Sequence, residues 1–447
     1  MRATLISTYE LGRQPFGLAS AVAWLTEAGA EVDVQDLAIC SLEPEPVSQA
    51  GLVGIYVPMH TATRLAEGVI RRIREIAPDV PIACFGLYAA MNADHLLSLG
   101  ADTVIGGEFE AGLVEAFRAA ERGQPVAATT TTDISRRPFK IPIRDGLPQL
   151  DTYARFQPTV GASRVVGYTE ATRGCKHMCR HCPIVPVYGG RFVVVEPEVV
   201  LADIRTQVAA GAEHITFGDP DFLNGPAHAR RITRLLHDEF PDLTYDVTIK
   251  IEHLVANLER LTDLRDTGCV LVTSAVESFD ADILERFDKR HTDADVDQVL
   301  HEMGRIGLAL NPTFVAFTPW TSLDGYLGFL SRIAELGLVG NVSPIQYAIR
   351  LLIPSGSLIL DLPDMAELAF DNESLAHQWV HPDPRMDELQ ETILGIATRT
   401  KSRPEAFAAI WRAARGLCAD DRWPVDPPID EAVPLATVPY LTEPWYC

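Results

Sequence analysis

Short apolar segments alternate with amphipathic segments through most of the chain, and this alternation constrains the fold more than any other feature. Between the predicted strands of residues 1–125, helical spacing predicts helices at Leu18–Ala28 and Leu65–Ile76. The order favours an α/β fold with a doubly wound parallel sheet. No Gly-x-Gly-x-x-Gly follows the first strand, so we expect no dinucleotide site there. The predicted strands are Arg2–Ser7, Val32–Leu37, Leu52–Val57, Pro81–Phe85 and Asp102–Ile105.

The pattern breaks at residues 126–160, where a threonine run at 129–132 and scattered prolines predict an extended linker. Over residues 161–362 it resumes as strand–helix units, which predict a partial β/α barrel. Residues 363–447 predict a helical extension with a Pro-rich tail that ends at Cys447. The predicted barrel strands are Gly167–Thr172, His214–Gly218, Tyr245–Ile251, Val270–Ala275, Leu308–Val315 and Val342–Leu351.

The charge balance argues against two classes of partner. The chain carries 61 acidic and 38 basic residues, a formal net charge of −23 at pH 7. Such a surface repels phosphate backbones and anionic lipids, so we expect neither nucleic acid nor membrane as a partner. The N-terminus lacks the layout of a secretory signal, and no apolar run approaches the ~20 residues of a spanning helix. We therefore expect a cytoplasmic protein whose eight cysteines are thiols or metal ligands.

Three of these cysteines, Cys175, Cys179 and Cys182, form a C-x3-C-x2-C motif. Thiolates at this spacing can hold one side of a cuboidal iron–sulfur cluster and leave the fourth iron open, as a catalytic metal centre requires. The motif follows a predicted barrel strand, so it is expected on the loops where such barrels carry their active sites. A zinc site completed by His177 and His181 is the alternative. Those histidines lie too close in one short loop to form an easy tetrahedron.

The motif and the segments that follow it resemble the radical S-adenosylmethionine (SAM) superfamily. Its second-strand motif corresponds to His214–Phe222, which has Gly218-Asp219-Pro220 where Gly-Gly-Glu is familiar. The resemblance implies that Gly218, Asp219, Glu277, Ser278 and Thr313 contact SAM, and that Cys175, Cys179 and Cys182 hold a [4Fe–4S] cluster. Lys250 stands where related proteins often place an arginine. Leu352–Ser357 is similar to the sixth-strand Pro-x-Gly turn.

The resemblance implies a mechanism in which the open iron chelates SAM and one electron cleaves a carbon–sulfur bond. The resulting radical modifies a small-molecule substrate, and an electron carrier such as flavodoxin or ferredoxin supplies the electron. Transfer of an aminocarboxypropyl or methyl group from SAM to a soft atom, arsenic or sulfur, is a first alternative. A non-catalytic metal-binding module is a second.

The front domain resembles the cobalamin-binding-like domain that precedes many radical SAM barrels, through Asp102–Glu110. A domain that ligates cobalt through histidine needs an Asp-x-His-x-x-Gly loop, and the chain has none. His60 is more simply explained as a loop histidine bonded to a carbonyl. We therefore do not favour bound cobalamin, although some related proteins bind it without a histidine ligand.

Further candidate catalytic residues are Asp221, Lys250 and Cys447. Asp219 and Asp221 at a strand end suit either helix capping or a role beside the cluster. Alternation along a strand would place Lys250 and Glu252 on one face, where an ion pair is the plainer account.

The C-terminal Glu-Pro-Trp-Tyr-Cys resembles the tail of a radical SAM family that continues as Cys-Sec-Ala-Glu-Pro or Cys-Cys-Ala-Glu-Pro. Here the sequence stops at the first cysteine of that tail. A vicinal pair could bind a soft atom or exchange electrons. An idle terminal thiol is the alternative for Cys447.

Overall fold

The computed structural model describes residues 1–126, 129–400, 402–428 and 438–442. Its elements form two large β-sheets covered by helices, two small two-stranded sheets and a helical C-terminal region. Within the described residues, no helix combines the length and apolar composition that crossing a bilayer requires.

The N-terminal sheet is parallel throughout and confirms the predicted doubly wound α/β fold. Its strands are β1 (Arg2–Ser7), β2 (Glu31–Asp36), β3 (Leu52–Tyr56), β4 (Ile82–Phe85), β5 (Thr103–Gly107) and β6 (Thr130–Asp133). They lie in the order β2-β1-β3-β4-β5-β6. Strands β3, β4 and β5 are buried along their whole length, as expected where helices cover both faces of a parallel sheet.

Helices pack on both faces of this sheet because alternate strand residues point to opposite sides. Along β3, Val53 and Ile55 belong to one buried cluster, and Leu52 and Tyr56 belong to another. The helices are α1 (Phe16–Glu27), α2 (Pro44–Gln49), α3 (His60–Ile76), α4 (Leu87–Met91), α5 (Ala93–Ser98) and α6 (Glu110–Glu121).

The segment predicted as a linker is partly structured. Its threonine run forms β6, which pairs in parallel with β5 at the edge of the N-terminal sheet. Threonine suits a strand because its branched Cβ fits a pleated surface. Farther on, Arg144 is buried and donates to Asp203 at 2.8 Å, to Gln14 at 2.7 Å and to the carbonyl of Tyr168 at 2.7 Å. The segment therefore joins the two sheets rather than lying loosely over them.

The second sheet is a partial barrel of five parallel strands, extended at one edge by two antiparallel ones. The parallel strands are β8 (Arg164–Thr169), β11 (His214–Phe217), β12 (Thr244–Thr248), β13 (Cys269–Glu277) and β14 (Ala309–Phe314). The antiparallel ones are β7 (Arg155–Gln157) and β17 (Tyr440–Leu441), while β9 (Thr172–Gly174) pairs separately with β10 (Phe192–Val194). The order is β14-β13-β12-β11-β8-β7-β17.

Helices join the parallel strands and cover the outer face of this sheet. Strong caps fix where they begin: Thr292 and Asp295 form a capping box at α13, and Asp280 caps α12. The helices are α7 (Val185–Tyr188), α8 (Pro197–Ala209), α9 (Pro226–Glu239), α10 (Ile251–Val255), α11 (Leu261–Asp266), α12 (Ala281–Phe287), α13 (Asp293–Ile306) and α14 (Leu323–Glu335).

Two of the predicted barrel strands differ from the structure. The strand expected at Tyr245–Ile251 ends at Thr248, and the residues after it begin α10. The strand expected at Val342–Leu351 is absent from the described residues. Pro344–Tyr347 forms a 3-10 turn instead, and an isolated bridge joins Phe317 to Arg350.

The C-terminal region packs two helices, α15 (Pro384–Arg399) and α16 (Arg403–Leu417), against the barrel. Phe407, Ile410 and Trp411 of α16 are fully buried in the barrel's core cluster. A short hairpin of β15 (Phe370–Asp371) and β16 (Ala376–His377) precedes them. Cys447 lies outside the described residues.

Candidate active site

The three cysteines of the motif lie on one loop beyond the carboxyl end of β8. Cys175 directly follows β9, Cys179 is buried and Cys182 is half-buried, and all three are free thiols. Burial raises the pKa of Cys175 to about 11 and that of Cys182 to about 12. Such thiols lose their protons to a strongly attracting centre, and a bound metal deprotonates a coordinating thiol. Three cysteine thiols on one loop fit an iron–sulfur cluster.

Hydrogen bonds from other elements hold this loop in place. The amide of Asn224 donates to the carbonyl of Gly174 at 3.2 Å. The guanidinium of Arg180 donates to the carbonyl of Glu285 at 3.0 Å, and Ser357 donates its hydroxyl to the carbonyl of Arg180 at 3.0 Å. The Pro-x-Gly turn singled out in the sequence therefore returns to the cysteine loop.

Gly218 and Asp219, at the end of β11, support the start of the same loop. A Cβ at Gly218 would lie 1.9 Å from the hydroxyl of Tyr168, so no side chain fits there. The carboxylate of Asp219 accepts from the Ala171 amide at 2.9 Å and from the Thr172 hydroxyl at 2.6 Å. Burial raises the pKa of Asp219 to about 7 against these hydrogen bonds. Both oxygens of Asp219 are thus engaged with the chain just before Cys175.

Asp221 caps a short 3-10 turn and also faces two histidines. Its Oδ1 accepts from the Leu223 amide at 3.1 Å, which is the capping role that the sequence allowed. Its Oδ2 lies 2.6 Å from His253 Nδ1 and 3.7 Å from His177 Nε2. The Nε2 atoms of the two imidazoles are 3.2 Å apart. Burial and nearby Lys250 lower the pKa of His177 to about 4, so its imidazole is neutral.

Lys250 precedes α10, and its Nζ lies 3.0 Å from Glu252 Oε2. The expected ion pair is therefore present. The prediction that Lys250 and Glu252 share one face of a strand is wrong, because the strand ends at Thr248. Helical spacing, not a strand, sets where Lys250 and Glu252 lie relative to His253.

Glu277, at the end of β13, is the most constrained of the expected SAM contacts. Its φ is +67°, and the register of β13 with β14 shifts beside it. Its Oε1 lies 3.1 Å from His181 Nε2 and 3.2 Å from Lys289 Nζ. Burial disfavours the carboxylate, but Lys289 and His181 outweigh it and lower the pKa of Glu277 to about 2. The residue is a buried anion at any ordinary pH.

Ser278 and Thr313 are placed differently. The hydroxyl of Ser278 accepts from the Asp280 amide at 3.0 Å, and Ser278 and Glu277 both line a cavity of ≈ 420 Å³ that also contains Trp320. Thr313 is buried in β14 opposite Ala275 and is not among the residues that line this cavity.

Three residues on or beside the loop have roles in the structure that sequence patterns did not indicate. The sequence suggests His181 only as an alternative zinc ligand. In the structure it pairs with Glu277 and packs against Phe287, with the ring centroids 4.3 Å apart. Lys289 lies in a charged stretch that looks like ordinary surface, but it is buried. Arg173 lies two residues before the first cysteine of the motif, where nothing in the sequence distinguishes it from a surface arginine.

Arg173 connects the cysteine loop to the N-terminal domain. Its guanidinium lies 2.7 Å from Glu110, 3.2 Å from Glu108 and 2.7 Å from Glu170. Burial raises the pKa of Glu108 and of Glu170 to about 7, against the opposing effect of Arg173. The segment that resembles the end of a cobalamin-binding domain thus supplies two carboxylates that contact Arg173, just before the cysteine loop.

The space between the N-terminal sheet and the barrel is a cavity of ≈ 190 Å³. Ligand pockets for drug-sized molecules have about 300–1,000 Å³, and cobalamin is larger than such molecules. Aromatic side chains, among them Phe16, Tyr56 and Phe109, line the cavity. His60 Nε2 lies 2.7 Å from the carbonyl oxygen of Ser374, as the simpler account of it predicted. This pocket is smaller than cobalamin, and we derive no step through that cofactor.

Residues 169–318 match the family model described as the radical SAM superfamily. The tRNA-2-methylthio-N(6)-dimethylallyladenosine synthase of Desulfosudis oleivorans (strain DSM 6200 / JCM 39069 / Hxd3) is 24% identical over 209 residues, 43% of this chain and 43% of that protein. The chain thus matches less than half the length of this curated relative.

Two solved structures share the architecture. The radical S-adenosylmethionine methyltransferase TsrM from Kitasatospora setae, with tryptophan substrate and aza-SAM bound, has a TM-score of 0.64 at 17% identity and covers 80% of this chain and 75% of its own. The cobalamin-dependent S-adenosylmethionine radical enzyme OxsB, with aqua-cobalamin and SAM bound, has a TM-score of 0.67 at 14% identity. That match covers 88% of this chain and 66% of the OxsB chain. At such identities the likeness shows a common fold.

Proposed function

We propose that the chain is a radical SAM enzyme and that Cys175, Cys179 and Cys182 hold its [4Fe–4S] cluster, because residues 169–318 match the radical SAM family model. The observation that carries this proposal is their placement on one braced loop, beyond β8 and beside the ends of β11 and β13. When bound, the cluster supplies the electron for the reductive cleavage of SAM. The protein's part is to bind, orient and shield the reactants.

We propose that Glu277 is the anionic contact for SAM. Its carboxylate stays charged, and Lys289 and His181 fix its orientation. A buried anion can accept hydrogen bonds from an ammonium group or from ribose hydroxyls. The adjoining cavity of ≈ 420 Å³ is of the size that ligands of this class occupy. Ser278 lines the same cavity, and Trp320 supplies an aromatic surface.

Asp219, by contrast, is proposed to position the cysteine loop rather than to touch SAM. Both of its oxygens already accept hydrogen bonds, from Ala171 and Thr172. Gly218 is still proposed to contact SAM, and it would do so through its backbone, since a side chain there would collide with Tyr168. Asp221 and Lys250 lie at neighbouring strand ends and stay candidates for contact with substrate.

The substrate is proposed to be a small molecule. The curated relative is named for modification of a tRNA, but the net charge of −23 opposes a polyanion as substrate here. A carrier such as flavodoxin or ferredoxin is proposed to deliver the electron. The seven described cysteines are free thiols, which suits a reducing compartment and supports the cytoplasm as the proposed location.

Analysis of the products of SAM tests the function. Anaerobically reconstituted protein, given dithionite and SAM, should release 5′-deoxyadenosine. The Cys179→Ala variant should release none, whereas Cys40→Ala, which changes an exposed cysteine outside the loop, should match the wild type. Methylthioadenosine as the main product would instead establish transfer of the aminocarboxypropyl group. No cleavage by the reconstituted wild type would contradict the proposal.

A further inference from the structure

Beside the cysteine loop, three side chains from three separate elements converge on one point. His177 comes from the loop itself, Asp221 follows β11, and His253 lies in α10. Their donor atoms lie within 4.8 Å of one another. Neither the cluster nor the proposed SAM contacts account for this group.

The spacing of the donor atoms matches that of ligands on a single metal ion. Two of the separations are 3.2 Å, between His177 Nε2 and His253 Nε2, and 3.7 Å, between His177 Nε2 and Asp221 Oδ2. Bonds of about 2.0–2.2 Å from one ion to nitrogen and oxygen place neighbouring ligand atoms roughly 3.0–3.5 Å apart. The third separation, 2.6 Å, is between Asp221 Oδ2 and His253 Nδ1, so a different ring nitrogen of His253 faces each of the other two side chains.

Hydrogen bonding explains the group only in part, because the 3.2 Å contact between Nε2 of His177 and Nε2 of His253 leaves Asp221 Oδ2 and His253 Nδ1 without a partner. Asp221 and His253 are 1% and 6% exposed, and His177 is 9% exposed. Although Asp221 Oδ2 and His253 Nδ1 are close, both atoms lack a partner in hydrogen-bonding geometry. Two buried polar atoms that lie side by side without bonding each other are costly unless a third group satisfies both.

The neighbouring charges leave room for a cation. Glu252 Oε2 is bound by Lys250 at 3.0 Å, so Lys250 is compensated by its own carboxylate. The carboxylate of Asp221 is held in place by the Leu223 amide through its other oxygen, and its Oδ2 is left facing the imidazoles. Two imidazoles and one carboxylate are a ligand set that first-row divalent metals use when further coordination positions stay open.

We propose that His177, Asp221 and His253 bind one divalent transition-metal ion, separate from the iron–sulfur cluster. The open positions of this ion would take water or oxygen and nitrogen atoms of a chelating substrate. Because His177 lies between Cys175 and Cys179 in the sequence, a substrate group on this ion is held beside the cluster. The inference rests on the geometry of these three side chains and does not depend on the proposed contacts with SAM.

Binding of Mn²⁺ tests the site without interference from the cysteines. Mn²⁺ prefers nitrogen and oxygen ligands to thiolates, and the free ion has a strong electron paramagnetic resonance signal that is lost on binding. The reconstituted wild type, with its cluster oxidised and treated with a chelator that leaves the ~400 nm absorption intact, should bind one equivalent. Asp221→Asn and His253→Gln should each bind at least tenfold more weakly, about 1.4 kcal/mol.

His95→Gln is the matched control, because His95 faces the carboxylate of Glu67 at 3.3 Å without a third ligand. It should bind Mn²⁺ like the wild type. All variants should keep the ~400 nm absorption, so a failed cluster is recognised separately. No binding by the wild type, or equal binding by Asp221→Asn and His253→Gln, would overturn the metal site and leave the proposed SAM chemistry untouched.

Discussion

Glu277 is a residue whose charge is set by two neighbours from other parts of the chain. It is buried and has a positive φ, which costs a non-glycine residue roughly 1–2 kcal/mol. Lys289 and His181 compensate the buried charge, so the carboxylate is retained down to a pH of about 2. An anion kept at this cost at the end of a barrel strand indicates a role in binding.

Glu277→Gln should therefore weaken SAM binding while the cluster's absorption stays. The amide keeps the shape but loses the charge, and a lost hydrogen bond to a charged group costs about 1.5–3 kcal/mol, or roughly tenfold to a hundredfold in affinity. Calorimetric titration with SAM measures the effect. Glu302→Gln, which removes an exposed carboxylate paired with Arg305, is the control. An affinity equal to that of the wild type would remove Glu277 from the site.

The spacing of the three cysteines predicts their role from the sequence alone, because one short loop carries all of them, and that role stays a prediction until the cluster is measured. The partners of Glu277 could not be predicted in this way. Lys289 lies 12 positions from Glu277 and His181 lies 96 positions away, and only the curvature of the sheet brings them together. The position of His253 could not be predicted either, because the sequence pattern predicted a strand where the structure has α10.

Among the elements, the turn from β9 into the cysteine loop has little room for a side chain. Gly174 has a φ of +77°, and a Cβ there would lie 2.4 Å from the Tyr188 ring and 2.6 Å from the carbonyl oxygen of Arg191. Gly189 also has a positive φ, +55°, but nothing lies within 4 Å of its would-be Cβ. A comparison of alanine substitutions at these two positions therefore separates the effect of backbone strain from that of steric collision.

Gly174→Ala should lower cluster occupancy and thermal stability much more than Gly189→Ala. In both variants the left-handed backbone lowers the free energy of unfolding by about 1–2 kcal/mol. Only Gly174→Ala adds a steric collision, which costs about 1–3 kcal/mol or more. Iron content after reconstitution and the unfolding midpoint measure the difference. Equal losses in the two variants would show that the turn has more freedom than its contacts indicate.

The order of predicted elements was sufficient to identify both sheets, since strand and helix patterns alternate strongly. The predicted strand at Val342–Leu351 was wrong, because a proline-containing turn interrupts the apolar run there. The predicted order also failed where a polar segment joins an existing edge, since the threonines of β6 become a strand only because β5 offers an unpaired neighbour.

At the scale of the whole molecule, Arg173 and its carboxylates join the N-terminal domain to the loop of the cluster. Burial raises the pKa of Glu170 from 4.5 to about 7, so the protonated form is favoured in the folded protein. Between these two pH values the folded state binds more protons than the unfolded state. The contribution of Glu170 to the free energy of unfolding therefore falls as the pH rises from about 4.5 to 7.

Glu170→Gln should remove that part of the pH dependence. Between pH 4.5 and 7, the free energy of unfolding of the wild type should fall by up to about 3 kcal/mol more than that of the variant. One pKa unit corresponds to about 1.4 kcal/mol. Urea unfolding at pH 4 and pH 8, on either side of this range, measures the difference, with Glu302→Gln as a surface control. Parallel pH profiles for the wild type and Glu170→Gln would show that Glu170 is ionised equally in both states.

The most direct test of the account is the metal content of the reconstituted protein and of its Cys175/Cys179/Cys182→Ala variant. Ligation by these three cysteines predicts about four irons with matching acid-labile sulfide and absorption near ~400 nm in the wild type, and none of these in the variant. A Cys40/Cys84/Cys418→Ala variant, which keeps the loop, should resemble the wild type. Zinc in place of iron in the wild type, or a cluster that survives in the loop variant, would contradict the account.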